Sequence, residues 1–207
     1  MKRIFFLLAI ILMASCSQKV FKEKWTKKKA PETFKARFET TQGNFEIIAK
    51  REWSPQGVDR LYQLIKYQFY NELAIYRVVP NFVAQFGIHN DSVVNKSWRK
   101  HPLDDEPVLQ KNDSMTIAFA RAGKKTRTAQ LYINLKDNHR LDKISGRGVT
   151  GFPVVAKVTS GMENILKFYD KYTKLGRRQD SIHRYGNKFL KKNYPEVDYI
   201  KKAYIIK

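Results

Sequence analysis

From Phe34 onward the chain alternates short apolar runs with polar breaks, a pattern of strands rather than of long helices. Phe38 and residues 45–47 lie in two such runs divided by Gln42-Gly43-Asn44, which predicts a hairpin. Ser54-Pro55 reads as an N-cap followed by proline at the first helical position. Val58, Leu61, Tyr62 and Ile65 then recur at helical spacing, so an amphipathic helix of about three turns is predicted there. Strands are predicted at 74–79, 82–86, 115–120, 131–135 and 154–158, and a last apolar run at 203–206 would close a sheet. A second helix is predicted from Gly161, with Met162, Ile165, Leu166 and Tyr169 on one face. Many short strands with two helices predict a β-barrel capped by helices rather than a βαβ fold.

The first 33 residues follow another pattern. Lys2 and Arg3 precede ten apolar residues, 4–13, too few to span a bilayer core as a helix. With the small Ala14 and Ser15 after them, they read as a secretory signal peptide. Leu12-Met13-Ala14-Ser15-Cys16 resembles the lipobox of bacterial lipoproteins, with Met13 where that family usually has Leu. The resemblance implies a signal peptide at 1–15 and a palmitate-type acyl anchor on Cys16. The other reading is ordinary cleavage that leaves Cys16 a free thiol. Residues 16–33 are polar, carry Lys19, Lys22, Lys24, Lys27, Lys28 and Lys29, and end at Ala30-Pro31, so a tether is expected. Basic residues beside anionic lipid each gain about 1 kcal/mol, so the Lys-rich tether is expected to touch an anionic membrane surface.

Charge widens the choice of partner before the motifs narrow it. The 207 residues hold 40 Lys and Arg against 19 Asp and Glu, a formal charge of +21. Such a balance suits nucleic acid, an anionic membrane or an acidic protein surface. A nucleic-acid binder rests on charge alone and conflicts with the export signal, so no nucleic-acid partner is expected. With 43% hydrophobic and 13% aromatic residues, a folded core is expected despite the charge. A single Cys excludes an internal disulfide and a Cys-based zinc site, and the four His are scattered without metal-ligand spacing. Gly146-Arg147-Gly148-Val149-Thr150-Gly151 fits the dinucleotide pattern G-x-G-x-x-G, but Pro153 and a strand follow where a helix is required, so a loop is expected. Asp104, Asp105 and Glu106 are expected to be solvated or paired with nearby cations rather than to do acid–base work.

Two further segments carry the chemistry. Tyr76-Arg77-Val78-Val79-Pro80-Asn81-Phe82-Val83-Ala84-Gln85 places an Arg in an apolar strand, which by itself fits a solvated edge position equally well. Ile117-Ala118-Phe119-Ala120-Arg121-Ala122-Gly123 is followed by Thr128-Ala129-Gln130-Leu131-Tyr132-Ile133. Together these segments resemble the signatures of the cyclophilin-type peptidyl-prolyl isomerases, over roughly residues 34–207. The resemblance implies a mainly β fold, a closed antiparallel β-barrel of about eight strands capped by two helices.

It also implies roles. Arg77 matches the family's catalytic Arg. Phe82 and Val83 match proline-pocket positions, with Val83 replacing a usual Met. Gln85 matches the Gln that contacts the substrate backbone, and Gln130 matches the second Gln. Ala120 and Arg121 match a backbone-reading Ala-Asn pair, with Arg121 replacing Asn. Tyr132 and Leu141 match pocket positions, and Phe152 falls near the pocket His. Tyr76 replaces a His and Arg140 stands where many members have Trp. These implications give an isomerase of X–Pro bonds in unfolded or folding envelope proteins, monomeric, without a cofactor and lipid-anchored in the bacterial cell envelope. The alternative is a catalytically weak module of the same fold that holds Pro-containing segments.

Overall fold

The computed structural model describes residues 21–206. The candidate signal peptide, Cys16 and Lys19 lie outside these residues. A 3₁₀ turn, Glu23–Lys27, precedes the hairpin of β1 (Thr33–Thr40) and β2 (Gly43–Lys50). Helix α1 (Pro55–Lys66) leads into β3 (Leu73–Ala74), β4 (Arg77–Val79) and β5 (Val83–Phe86). Next come α2 (Ser92–Arg99), β6 (Thr116–Phe119), β7 (Leu131–Asn134) and the one-turn α3 (Arg140–Lys143). The small hairpin of β8 (Ser145–Gly146) and β9 (Val149–Thr150) follows. The chain then runs through β10 (Val154–Ser160), the one-turn α4 (Met162–Ile165), α5 (Gln179–Asn193) and β11 (Tyr199–Ile206).

Nine of these strands form one antiparallel sheet in the order β3-β11-β1-β2-β10-β6-β7-β5-β4. Its edge strands β3 and β4 are separated in sequence only by Ile75 and Tyr76, so the sheet curls back on itself. The edges do not pair, and the expected closed barrel of about eight strands is instead a nine-stranded open one. The reason is a change of partner at Tyr76. Ile75 N still donates to Asp198 O at 2.8 Å on the β11 side, whereas Arg77 already pairs with Gln85 of β5.

The core lies inside this curl. Phe38 and Phe45 stack at 4.8 Å between centroids, and Val58, Leu61, Leu64 and Ile65 of α1 close over them, all buried. Each such side chain contributes about 1.5–3 kcal/mol by leaving water. Helix α1 begins at Pro55 as expected, but Ser54 does not accept a cap bond from it. The Glu106 carboxylate takes that place, accepting from Gln56 N at 2.7 Å and Gly57 N at 3.1 Å. A negative charge at a helix N-terminus satisfies its free N–H groups and its dipole. Glu106 also pairs with the buried Arg127 at 3.0 Å and Asp104 pairs with Lys125 at 2.8 Å, so two of the three acids are taken up by cations, while Asp105 accepts from Lys125 N at 2.9 Å.

The second helix is shorter than expected. It ends at Ile165, and Leu166 is 63% exposed. Helices α2 and α5 were not expected. Asp91 caps α2 by accepting from Val93 N at 2.6 Å. In α5, Gly186 (φ 55, ψ −144) breaks the helix into two pieces. A Cβ there would lie 2.4 Å from the Asn90 carbonyl oxygen, so only glycine fits this kink.

The Lys-rich segment is not wholly a tether. Trp25 is buried and stacks on Tyr67 at 4.2 Å, Ala30 N donates to Asp59 Oδ1 at 2.8 Å, and Gln63 Nε2 donates to Lys28 O at 2.7 Å. From Phe21 onward this stretch packs on the domain, because two apolar residues set among its lysines find α1 to cover. The six-residue glycine pattern forms the β8–β9 hairpin, whose turn residues Arg147 and Gly148 have φ 49 and 77. That is a two-residue turn of the left-handed kind, and no helix follows before β10.

Candidate active site

The register of the curled sheet sets the site. Arg77 of β4 lies opposite Gln85 of β5, Gln85 opposite Tyr132 of β7, and Tyr132 opposite Ala118 of β6. Directly opposed residues share a face, so this row crosses four strands on one side of the sheet. Val83, Ala118, Tyr132 and Leu141 form a separate buried apolar cluster there, and Phe82, Ala120 and Phe152 pack around it half-buried. Leu141 comes from α3, and Phe82 and Phe152 come from loops. Phe152 meets Tyr132 edge-on at 5.9 Å.

Asn112 fixes this pocket from beneath. It is fully buried, its Oδ1 accepts from Tyr132 Oη at 3.1 Å, and its Nδ2 donates to Phe152 O at 2.9 Å and to Asp142 Oδ1 at 2.8 Å. Burial holds the Tyr132 hydroxyl neutral, far above its usual range. Asn138 Nδ2 donates to Phe82 O at 2.9 Å and so ties down the loop that carries that ring.

The polar side of the site is a chain of amides. Arg77 Nη1 donates to Gln85 Oε1 at 3.2 Å, and Gln85 Nε2 donates to Gln130 Oε1 at 3.1 Å. The Tyr76 hydroxyl donates to the same Gln130 oxygen at 2.7 Å. Tyr76 is buried, which pushes its hydroxyl well above the usual tyrosine range, with Arg77 opposing that shift. It therefore stays a neutral donor at any working pH. The Arg77 guanidinium lies 5.6 Å from the Phe82 ring centroid, at the edge of the apolar cluster.

Two more cations line the rim. The Arg140 guanidinium lies 4.8 Å from the Phe82 centroid, and that of Arg121 lies 4.7 Å from the Phe152 centroid. Arg121 Nη2 donates to Gly151 O. Burial lowers the Arg121 pKa from its ordinary value. A cleft of about 420 Å³ beside the apolar cluster is lined by Gln85, Ala120, Arg121, Gln130, Gln179 and His183, among others.

All ten site residues expected in the domain thus come together: Arg77, Phe82, Val83, Gln85, Ala120, Arg121, Gln130, Tyr132, Leu141 and Phe152. Sequence reasoning missed Asn112 and Gln179. Each acts on residues far away in the chain, and neither lies in a recognisable motif. It also missed that Asp113, Asp137 and His139 meet, with ligand atoms within 4.8 Å of one another. There His139 Nε2 lies 2.6 Å from Asp113 Oδ1, and Ser114 N donates to Asp137 Oδ1 at 2.7 Å, on an exposed surface.

The geometry is thus an apolar slot on a curled antiparallel sheet, rimmed by arginines, with Arg77 held at its edge by Gln85. The sequence profile of the family described as "Cyclophilin type peptidyl-prolyl cis-trans isomerase/CLD" matches residues 35–186. The chain belongs to that family of isomerases. A peptidyl-prolyl cis-trans isomerase of Acinetobacter baylyi is 30% identical over 129 residues, which is 62% of this chain and 68% of that protein. One from Helicobacter pylori is 27% identical over 131 residues, 61% of this chain and 80% of the relative. Among solved structures, a cyclophilin-type isomerase of Cryptosporidium parvum superposes with a TM-score of 0.61 at 16% identity, covering 84% of this chain and 98% of its own.

Proposed function

We propose that this chain is a lipid-anchored isomerase of X–Pro bonds in bacterial envelope proteins, where it assists their folding. Rotation about an X–Pro amide loses resonance and crosses about 18–20 kcal/mol, so the uncatalysed exchange takes tens to hundreds of seconds. No bond breaks. The catalyst has only to bind the twisted amide better than either planar form. As the amide twists, the prolyl nitrogen regains its lone pair, and a permanently charged guanidinium is a suitable donor to it. Val83, Tyr132 and Leu141, with Phe82 and Phe152, would hold the proline ring. Gln85, Ala120 and Gln130 would hold the peptide backbone.

The observation that carries this reading is the position of Arg77. It is held by Gln85 at 3.2 Å and sits over the Phe82 ring at the mouth of the apolar cluster. The anchor is read from the lipobox-like Leu12-Met13-Ala14-Ser15-Cys16, which supports a location at a bacterial envelope membrane, where exported, unfolded chains would be its substrates. The lysines before the domain would lie at anionic headgroups.

One observation favours the second reading, a binding module with weak catalysis. Arg121 and Arg140 lie over Phe152 and Phe82, the rings that would wall the slot, at 4.7 Å and 4.8 Å. Exchange spectroscopy on a panel of X–Pro peptides with the purified protein separates the two. Accelerated cis–trans exchange supports the enzyme. Peptide binding with exchange at the uncatalysed rate supports the module.

A further inference from the structure

The stretch between α4 and β11 contains Gly176 and α5, and the motifs that define the site do not include it. We propose that Gln179 and Gly176 are positioning residues for Arg77. This rests on the reading of Arg77 as the catalytic donor.

A guanidinium can only donate hydrogen bonds. Arg77 therefore requires Gln85 to present its oxygen, at 3.2 Å. Gln85 is left to donate its Nε2, which reaches Gln130 Oε1 at 3.1 Å. Tyr76 Oη donates to the same oxygen at 2.7 Å, so the Gln130 amide has its oxygen committed. Its Nε2 must then donate, and it finds Gln179 Oε1 at 3.1 Å. Gln179 Nε2 in turn donates to the Gly176 carbonyl at 3.2 Å. The polarity of each bond follows from the one before it, starting at the arginine charge. A flipped amide anywhere along the line would set two donors or two acceptors against each other and break the line at that bond.

The line returns to its start. A Cβ on Gly176 would lie 2.8 Å from Arg77 Cδ and 3.2 Å from Cγ, so the backbone at Gly176 rests on the aliphatic stem of Arg77. Gly176 does not have a left-handed φ, so the turn itself does not need glycine. The Arg77 side chain does. The whole segment is firmly seated: Leu175 and Ile182 are buried in a cluster with Tyr76, the residue before Arg77. Arg77 is thus clamped at its head by the amides and along its stem by Gly176.

Two variants test this from different ends of the circuit. Gln179→Met removes the amide at similar size. Gly176→Ala adds the methyl that Arg77 must avoid. Turnover and KM are read by exchange NMR on an X–Pro peptide, with a melt for each variant and with Lys191→Ala, on the exposed end of α5, as control. Both variants are expected to lower kcat by about tenfold to a hundredfold, the effect of misplacing a catalytic group by about an ångström, with KM and melting temperature little changed. On an Arg77→Ala background neither is expected to have a further effect. If Gly176→Ala does not fold, Gln179→Met decides alone. Wild-type kcat in the folded variants overturns the proposal. So does a loss that appears in KM together with a lowered melting temperature. Arg77→Ala alone distinguishes the two levels. If it is inactive while Gln179→Met and Gly176→Ala are fully active, only the positioning claim fails. If it keeps full activity, the reading of Arg77 fails and this claim with it.

Discussion

Glu106 shows how one side chain can carry several duties. Its carboxylate caps α1 through Gln56 N and Gly57 N and pairs with Arg127, which is only 1% exposed. Removing one partner of a buried pair leaves the other charge uncompensated, at a cost of about 3–5 kcal/mol. Glu106→Ala is therefore expected to lower the denaturation midpoint severely, and an unchanged midpoint would contradict this account of the pair. From the sequence, Glu106 looked like one of three adjacent acids in a polar loop. Its partners lie 49 to 52 residues earlier at the start of α1 and 21 residues later at Arg127, so spacing gave no sign of them. The site residues were more legible, because they lie in two short signatures whose order along the chain is itself informative. Asn112 and Gln179 were not, since each meets the site through a side-chain bond to a residue, Tyr132 or Gln130, that is close only after folding.

At the scale of elements, regular periodicity was readable and irregular helices were not. The β1–β2 hairpin and α1 follow their apolar spacing closely. Helix α5 hides its buried face, Ile182 and Leu190, behind a kink at Gly186 and a run of cations. Gly186→Ala forces a left-handed φ on alanine and drives a Cβ against the Asn90 backbone, so a loss of about 1–3 kcal/mol is expected, measured by chemical denaturation. Helices α2 and α5 also carry the pH response. Burial lowers the pKa of His89, just before α2, against the pull of Asp91. Burial, with Arg99 adding to it, lowers that of His183 on α5, against Asp180. Both are lower folded than unfolded, so the unfolded chain takes up protons first on acidification. The stability they contribute is complete above the ordinary histidine range and is lost as pH falls below it. Melting temperature is expected to fall between about pH 7.5 and about pH 5.5, and His183→Asn to flatten that fall. A melting temperature independent of pH across this window would contradict both burials. Isomerase activity in the folded protein should stay level, because burial keeps the Tyr76 hydroxyl protonated across this range.

The whole molecule joins a packed domain to a proposed membrane anchor. No helix among the described residues is long and apolar enough to cross a membrane. The proposed attachment is through Cys16 of the lipobox-like segment. Cys16→Ala is expected to abolish fatty-acid labelling and the processed form. Labelling that persists in this variant would remove the lipobox reading. Because Trp25 and Ala30 pack on α1, the packed domain begins earlier in the chain than the composition of the lysine-rich stretch suggests. A domain cut at Phe34 would expose Tyr67 and lose that contact. The curled sheet, for its part, brings Arg77 on one edge strand into line with Gln85, Tyr132 and Ala118 on three neighbours. The site is therefore a property of the curled sheet and not of any one element.

The central claim is that Arg77 acts on the twisted prolyl amide. The most direct measurement is kcat/KM for an X–Pro peptide with wild-type protein, Arg77→Ala and Arg77→Lys, alongside peptide affinity and a thermal melt. A charge-assisted contact made mainly in the transition state is worth about 3–4 kcal/mol, so Arg77→Ala should lose two to three decades in rate. The fold and most of the peptide affinity should remain, and Arg77→Lys should recover little, because an ammonium lacks the planar fork. An Arg77→Ala protein that keeps most of its activity at an unchanged melting temperature would contradict the account.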